Sequence, residues 1–222
     1  MTGTARRLFL QHEYEESKQD YILNWKTLDE VLYRICCDYP THNDPAAVNA
    51  KIYIIGRTYT TGIERKVPTT GAQSSSMSQV AELFFKHRRD IDSWLVHLGK
   101  ISEPLTMLKI RKIVLFHGLL VNRLTSITRN GQSTPSFVSK YLHFHNPVVP
   151  IYDSVAARIL PSLVPLRTIH ELKIRPVRCV DIEYADYVRR FFKLYQSQQH
   201  LSMTVRSLDY YLLWKADQGR PV

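Results

Sequence analysis

The chain has 222 residues, long enough to bury a real core as one domain or two closely packed lobes without help from disulfides. Lys and Arg number 30 against 20 Asp and Glu, a formal charge of +10, and the pI near 9.6 points to a polyanionic partner, either nucleic acid or an anionic membrane. Membrane is the weaker option: no apolar run approaches the roughly 20 residues of a spanning helix, and the stretch from Met1 to His12 is too short in its apolar part for a signal peptide. A cytoplasmic monomer is expected. Cys36, Cys37 and Cys179 lack metal-ligand spacing and read as buried or incidental thiols in a reducing compartment.

Residues 1–24 read as a basic N-terminal arm or helix bearing Arg6 and Arg7, and residues 25–222 as a single helical domain. Thr27-Leu-Asp-Glu30 reads as a capping box that opens a helix through Val31, Leu32 and Ile35. Asp44-Pro45 starts the next, in which Val48, Ile52, Ile55, Tyr59 and Ile63 recur at steps of three and four. Lys51 to Ile55 has the β-propensity of a strand, but the period persists for about four turns and favours helix. Thr69 to Ser78 lacks apolar anchors, so a mobile loop is expected near 68–78. Beyond it, Ser76 and Gln79 form a second capping box before one long stripe of Val80, Phe84, His87, Ile91, Trp94 and Leu98, with Lys86, Arg88 and Arg89 on its solvent side. A helix over about 105–127 follows, with Leu108, Ile113, Leu120, Leu124 and Ile127 as its core face.

The most informative stretch runs from Ser133 to Ser154. Thr134 is placed to cap a helix whose first residue is Pro135, because proline needs no N–H there and pushes the residue before it out of the α region. Helix 135–145 should turn Phe137, Val138, Tyr141, Leu142 and Phe144 to one side and Ser136, Ser139, Lys140 and His143 to the other. Asn146-Pro147 and Pro150 stop it. Asp153 then caps a second helix through Val155, Ala156, Ile159 and Leu160 to Pro161. An irregular segment over 161–180 and closing helices near 182–198 and 204–217 complete an all-α fold of about eight helices.

Three groups of residues carry candidate chemistry. A carboxylate at a helix N-terminus is held ionised by the dipole, so Asp153 can stabilise a cationic sugar or orient water as well as serve as a plain cap. Lys140 reads as a solvated helix lysine, or as part of a grip on phosphate or sugar with Ser136 and His143. The cluster Ile55 to Lys66 reads as a helix packed closely at Gly56 with Arg57, Glu64 and Arg65 as surface charges. It also fits the wall of a site, with Arg57, Thr61 and Glu64 on one face and Gly62 allowing close approach. His143 and His145 are two apart and lack a third ligand, which argues against a metal. Further basic segments, Lys86 to Arg89, Lys109 to Lys112, Arg123 to Arg129 and Arg175 to Arg178, together make a duplex-sized footprint.

From Gln132 to Leu160 the order of turn, helix, proline-containing link and Asp153-Ser-Val-Ala-Ala-Arg-Ile-Leu160 resembles the core of the helix-hairpin-helix DNA glycosylase superfamily. Elsewhere only helix order supports the likeness. It implies a two-lobed all-α fold with a central cleft, a base flipped out of duplex DNA, and Asp153 as the catalytic aspartate. Tyr59 or Tyr53 would then stack on the base, Glu64 or Arg57 would read its edge, and His143 would face the same pocket. The hairpin at Asn130 to Thr134, with Gly131, Ser133, Thr134 and the neighbouring Arg129, would meet the DNA backbone together with Ser136 and Lys140. The family's hairpin has two glycines where this one has only Gly131. The slot of its Schiff-base lysine falls at Thr134 or Pro135, neither of them an amine, so the resemblance implies a monofunctional, water-using enzyme without cofactor. Some bacterial phage-defence proteins are DNA glycosylases that remove hypermodified pyrimidines, including glucosylated hydroxymethylcytosine, from phage genomes, and the resemblance allows this chain to be one. The small residues Gly56, Thr60, Thr61 and Gly62, with Ser139 and His143, suit such a bulky base better than uracil. The rival readings are a non-catalytic helical nucleic-acid-binding module and a partner-binding helical protein.

Overall fold

The structure, a computed structural model, describes residues 3–69, 75–165 and 180–219, with side chains from residue 11 onward. Cys179, the basic residues Arg175 and Arg178, residues 70–74 of the expected loop at 68–78 and residues 166–179 of the irregular stretch at 161–180 lie outside the described residues, as do the side chains of Arg6 and Arg7. Eleven α-helices and no strand make up the described residues. They are α1 (Gly3–Asn24), α2 (Lys26–Asp38), α3 (Pro45–Thr58), α4 (Ile63–Lys66), α5 (Ser76–Lys86), α6 (Arg88–Gly99), α7 (Met107–Leu124), α8 (Pro135–His145), α9 (Ser154–Leu163), α10 (Ile182–Ser197) and α11 (Val205–Gln218). None of them is long and apolar enough to cross a membrane.

Several helix starts follow directly from local chemistry. Asp44 caps α3 by accepting from the amides of Ala46 and Ala47 at 2.8 and 3.3 Å, with Pro45 at the first helical position. Residues Lys51 to Ile55 are helical, and Val48, Ile52 and Ile55 are fully buried. Lys51 is buried with them, its ammonium donating to the carbonyls of Tyr39 at 2.7 Å and Thr41 at 3.3 Å. The closing helices α10 and α11 begin at the caps Asp181 and Thr204.

Other starts differ from the sequence expectation for identifiable reasons. Thr27 does not open a capping box: α2 follows α1 so closely that the amides of Trp25 and Asp29 find the carbonyls of Tyr21 and Trp25. The cap of α5 is Ser75, which accepts from the Ser78 amide at 3.1 Å, while Ser76 turns inward and donates to the Val67 carbonyl at 2.7 Å. Thr134 precedes α8 without capping it, and its hydroxyl is buried with no partner. The long stripe is two helices, broken at His87, whose carbonyl accepts from both Asp90 and Ile91. Leu108 is 63% exposed, because α7 buries Ile110, Ile113 and Val114 instead. Pro161 does not end α9, which continues to Leu163.

Helix α8 is the hub of one group, packed by α2, α3, α6 and α7, and α9 packs against α10 and α11. Most of the expected polar face of α8 therefore turns inward: Ser139, Lys140 and His143 are buried, and of the four only Ser136 keeps partial exposure. From Gly3 to Asn24 the N-terminal segment is the helix α1, which lies along α11. Its buried Glu13 accepts from the Tyr211 hydroxyl at 2.8 Å and pairs with Lys215. A second buried pair, Asp29 with Arg206 at 2.6 Å, joins α2 to α11, and the hydroxyls of Tyr21 and Tyr59 donate to the same carboxylate. Burial alone would lower the guanidinium's pKa, but the Asp29 carboxylate raises it well beyond its ordinary value.

Candidate functional site

Asp153 lies on the wall of a cavity of about 570 Å³. Thr60, Thr61, Gly62, Arg65 and Lys66 form one side. Gln132, Pro135 and Ser136 come from the start of α8, and Tyr152 to Val155 with Glu183 come from the starts of α9 and α10. The first side exists because α3 stops at Thr58 instead of running on to Ile63. Thr60 and Gly62 take left-handed backbone angles, φ 45° and 69°, and the amide and hydroxyl of Thr61 both bond back to the Gly56 carbonyl. Glycine meets that conformation without strain. Ile63 and Val67, both 1% exposed, anchor the short helix that follows.

Asp153 has both oxygens engaged. Oδ1 accepts from the Val155 amide at 2.8 Å, capping α9, and Oδ2 takes the Lys140 ammonium at 3.2 Å. Its side chain keeps 25% exposure, toward the cavity, while Lys140 keeps 2%. Lys140 also donates to the Tyr59 carbonyl and to Ser136 Oγ, each at 3.1 Å, so its three N–H groups have three oxygens. Burial lowers its pKa and the Asp153 carboxylate acts in the opposite direction. Lys140 is thus neither a solvated lysine nor an open grip on phosphate; it is the buried counter-ion of Asp153.

The neighbouring elements are tied by a second polar chain. Lys66 donates to the Ser133 carbonyl at 2.6 Å, the Ser133 hydroxyl donates to Asp181, and Asp181 caps α10 through the Tyr184 amide at 2.8 Å. Ser139 accepts from the Tyr152 amide at 2.9 Å and so fixes the strand of chain leading into Asp153. The Tyr152 hydroxyl donates to Glu183 Oε1. Burial and then the Glu183 hydrogen bond raise that phenol's pKa, so it remains a donor.

The base-pocket residues expected from sequence are not gathered around Asp153. Arg57 and Glu64 pair with each other at 2.9 Å on the outer surface, 63% and 45% exposed. Tyr53 lies under the Arg57 guanidinium, at 5.4 Å from ring centre to charge, and shares a 2.6 Å hydrogen bond with Ser75. None of the three lines the cavity. The Tyr59 hydroxyl is turned into the core toward Asp29, and Tyr59 meets the site through Lys140, which takes its carbonyl and lies 5.7 Å from its ring centre. His143 donates from Nδ1 to the Val149 carbonyl at 2.7 Å and accepts at Nε2 from the Tyr33 hydroxyl at 2.6 Å. Burial pushes its pKa down to about 3, fixing it as a neutral core residue. Gly56 is packed against Met77, whose Cε lies 2.5 Å from where a Cβ would stand.

Of the expected DNA-contacting residues, Ser136 lines the cavity and Arg129 is exposed on the turn before α8. Asn130 and Gly131 are both left-handed, φ 52° and 65°, and the Gly131 and Gln132 amides bond back to Thr128 and Arg129. Those amides are closed within the turn instead of free to grip phosphate. Ser133 and the buried Thr134 face the protein. Sequence reasoning missed Glu183, Tyr152 and Lys66 as site residues; the one available signal was Asp181, whose capping side chain fixes where Glu183 falls. Among the described residues no group of three His, Cys, Asp or Glu side chains is placed to hold a metal ion. Cys36 is buried, its thiol pushed up to about 12 by burial, and Cys37 is exposed. No protein-family model, no curated protein and no solved structure matches this chain.

Proposed function

We propose that this protein is a monofunctional DNA N-glycosylase that removes a modified base, with Asp153 as the charge facing the sugar. The observation that carries the reading is a carboxylate fixed at a helix N-terminus by a buried ammonium, yet open to a polar cavity large enough for a nucleotide. Cleavage of the N-glycosidic bond leaves positive charge on the sugar, and a carboxylate that needs no reorganisation stabilises that charge as it forms. Lys140 holds Asp153 in place, and with each of its three N–H groups on an oxygen it is positioned as a counter-ion and not as a nucleophilic amine. Arg65 and Lys66 beside the cavity, and the net charge of +10, suit a phosphate backbone. The cavity's polar lining favours a bulky, hydroxyl-bearing base such as a hypermodified phage cytosine over uracil.

The test is excision from duplexes carrying different modified bases, including glucosylated hydroxymethylcytosine, read as alkali-labile sites at one salt concentration. Asp153→Asn should lower excision by roughly two to four orders of magnitude while DNA binding survives. Binding without excision by the wild type on every substrate would leave the non-catalytic nucleic-acid-binding reading in its place.

A further inference from the structure

The cavity contains a second carboxylate, and the two are prepared differently. Asp153 carries an N–H donor on each oxygen, from Val155 and from Lys140. Such a group is a fixed charge with one acceptor site on each oxygen already taken. Glu183 sits one position into α10, exposed on the cavity side, with Oε1 held by the Tyr152 hydroxyl. Tyr152 immediately precedes Asp153 and is itself set by Ser139 and an edge-on contact with Tyr187 at 5.3 Å. The side chain that orients Glu183 is therefore part of the segment that positions Asp153. The charged and titratable groups that share the cavity lining with Glu183 are Tyr152, Asp153, Arg65 and Lys66, and Asp181 adds its charge to those of Glu183 and Asp153 around the Tyr152 phenol.

We propose that Glu183 is the general base of the reaction, accepting a proton from the attacking water at Oε2 while Asp153 remains an electrostatic group. The inference rests on the glycosylase reading above. In the step, the water oxygen bonds to the sugar carbon and one of its protons passes to Glu183. The carbon–nitrogen bond breaks with its electron pair leaving on the base. That base then takes the proton from the Glu183 carboxylic acid, so the carboxylate is restored and one water is consumed per base released. Glycoside cleavage likewise divides the work between two carboxylates, and in its inverting form one of them activates the attacking water as a general base.

Single-turnover excision by the full chain separates the two roles. Glu183→Gln keeps an acceptor for the Tyr152 hydroxyl and should fold normally, yet lose about 10²- to 10³-fold in rate with unchanged DNA affinity. Glu183→Ala should regain part of its rate on adding formate, a small carboxylate able to occupy the vacated space, whereas Asp153→Ala should not. Glu183→Gln within threefold of wild type, or Glu183→Ala with no response to formate, overturns the role assigned to Glu183 and leaves the glycosylase reading standing. No excision by the wild type on any substrate tested overturns both.

Discussion

Replacing Asp153 by Asn tests the Lys140–Asp153 pair independently of any activity. Asparagine caps a helix about as well as aspartate, so the Val155 amide keeps its acceptor. What is lost is the charge opposite an ammonium that is 2% exposed. Removing one partner of a buried ion pair costs 3–5 kcal/mol in general; because Asp153 itself touches the cavity, the lower end applies, about 3 kcal/mol. For a chain of this size that corresponds to a fall of roughly 6–12 °C in Tm. Asp44→Asn, at a cap whose carboxylate makes no ion pair among the described residues, should cost less than about 1 kcal/mol. Lys140→Met combined with Asp153→Asn removes both charges and should recover most of the loss. The deficit also has a direction in pH. Burial already lowers the Lys140 pKa, and losing Asp153 removes the main group raising it. Between the variant's value and the wild type's own lowered value, only the folded variant has given up the proton that its unfolded chain still binds, so its stability rises with pH while the wild type's does not, and the deficit shrinks on the alkaline side. Urea melts followed by far-UV circular dichroism at pH 7 and pH 9.5 measure all of this. Equal losses for Asp153→Asn and Asp44→Asn, or a deficit unchanged with pH, would refute the reasoning.

Three further outcomes are expected. Gly62→Ala forces a side chain into φ +69° and should lose about 1 kcal/mol, while Gly99→Ala, at a helical site with open space, should gain up to about 1 kcal/mol in the same melts. Burial pushes His42 and His117 down to about 4 and His143 to about 3. Stability should therefore fall as pH drops from the unfolded histidine value near 6.5 toward 4, because only the unfolded chain takes up those protons. His143→Gln should reduce that slope by about one proton, roughly 1.4 kcal/mol per pH unit, and an unchanged slope would contradict the burial of a neutral imidazole. Borohydride should trap no covalent complex on substrate DNA; a trapped species that disappears in Lys140→Ala would show that the amine can leave its three oxygens and react.

The helices were legible where a single residue type has one local solution. Pro135 and Asn146-Pro147 mark the observed ends of α8, and Asp44 caps α3 as its chemistry requires. Periodicity failed at Thr60, Gly62 and His87, because an apolar repeat of three and four continues through a break when the next helix packs on the same core. The site was half legible. Asp153 could be placed because its function as a cap is local, whereas its pairing with Lys140 and the approach of Glu183 arise from packing between elements. The polar positions of α8 gave the most misleading signal. Ser139, Lys140 and His143 share a face as expected, but each finds a partner inside the protein, and sequence spacing cannot distinguish such a face from one that meets a ligand.

One cation connects the two sides of the cavity. Lys140 binds Asp153 on the α9 side and the Tyr59 carbonyl at the head of the turn that carries Thr60, Thr61 and Gly62 on the other. That turn holds Thr60, a β-branched residue, at φ 45°, a conformation costing of order 1 kcal/mol or more that persists only where its surroundings hold it. The bonds from Thr61 to the Gly56 carbonyl restrain the turn from one end and the Lys140 ammonium restrains it from the other. A buried lysine with one carboxylate and two neutral oxygens is a costly way to stabilise a core, since apolar packing of similar volume serves as well or better. Its position has a different physical consequence. It fixes the separation between a charged wall and a wall of small residues, and that separation determines what fits beside Asp153.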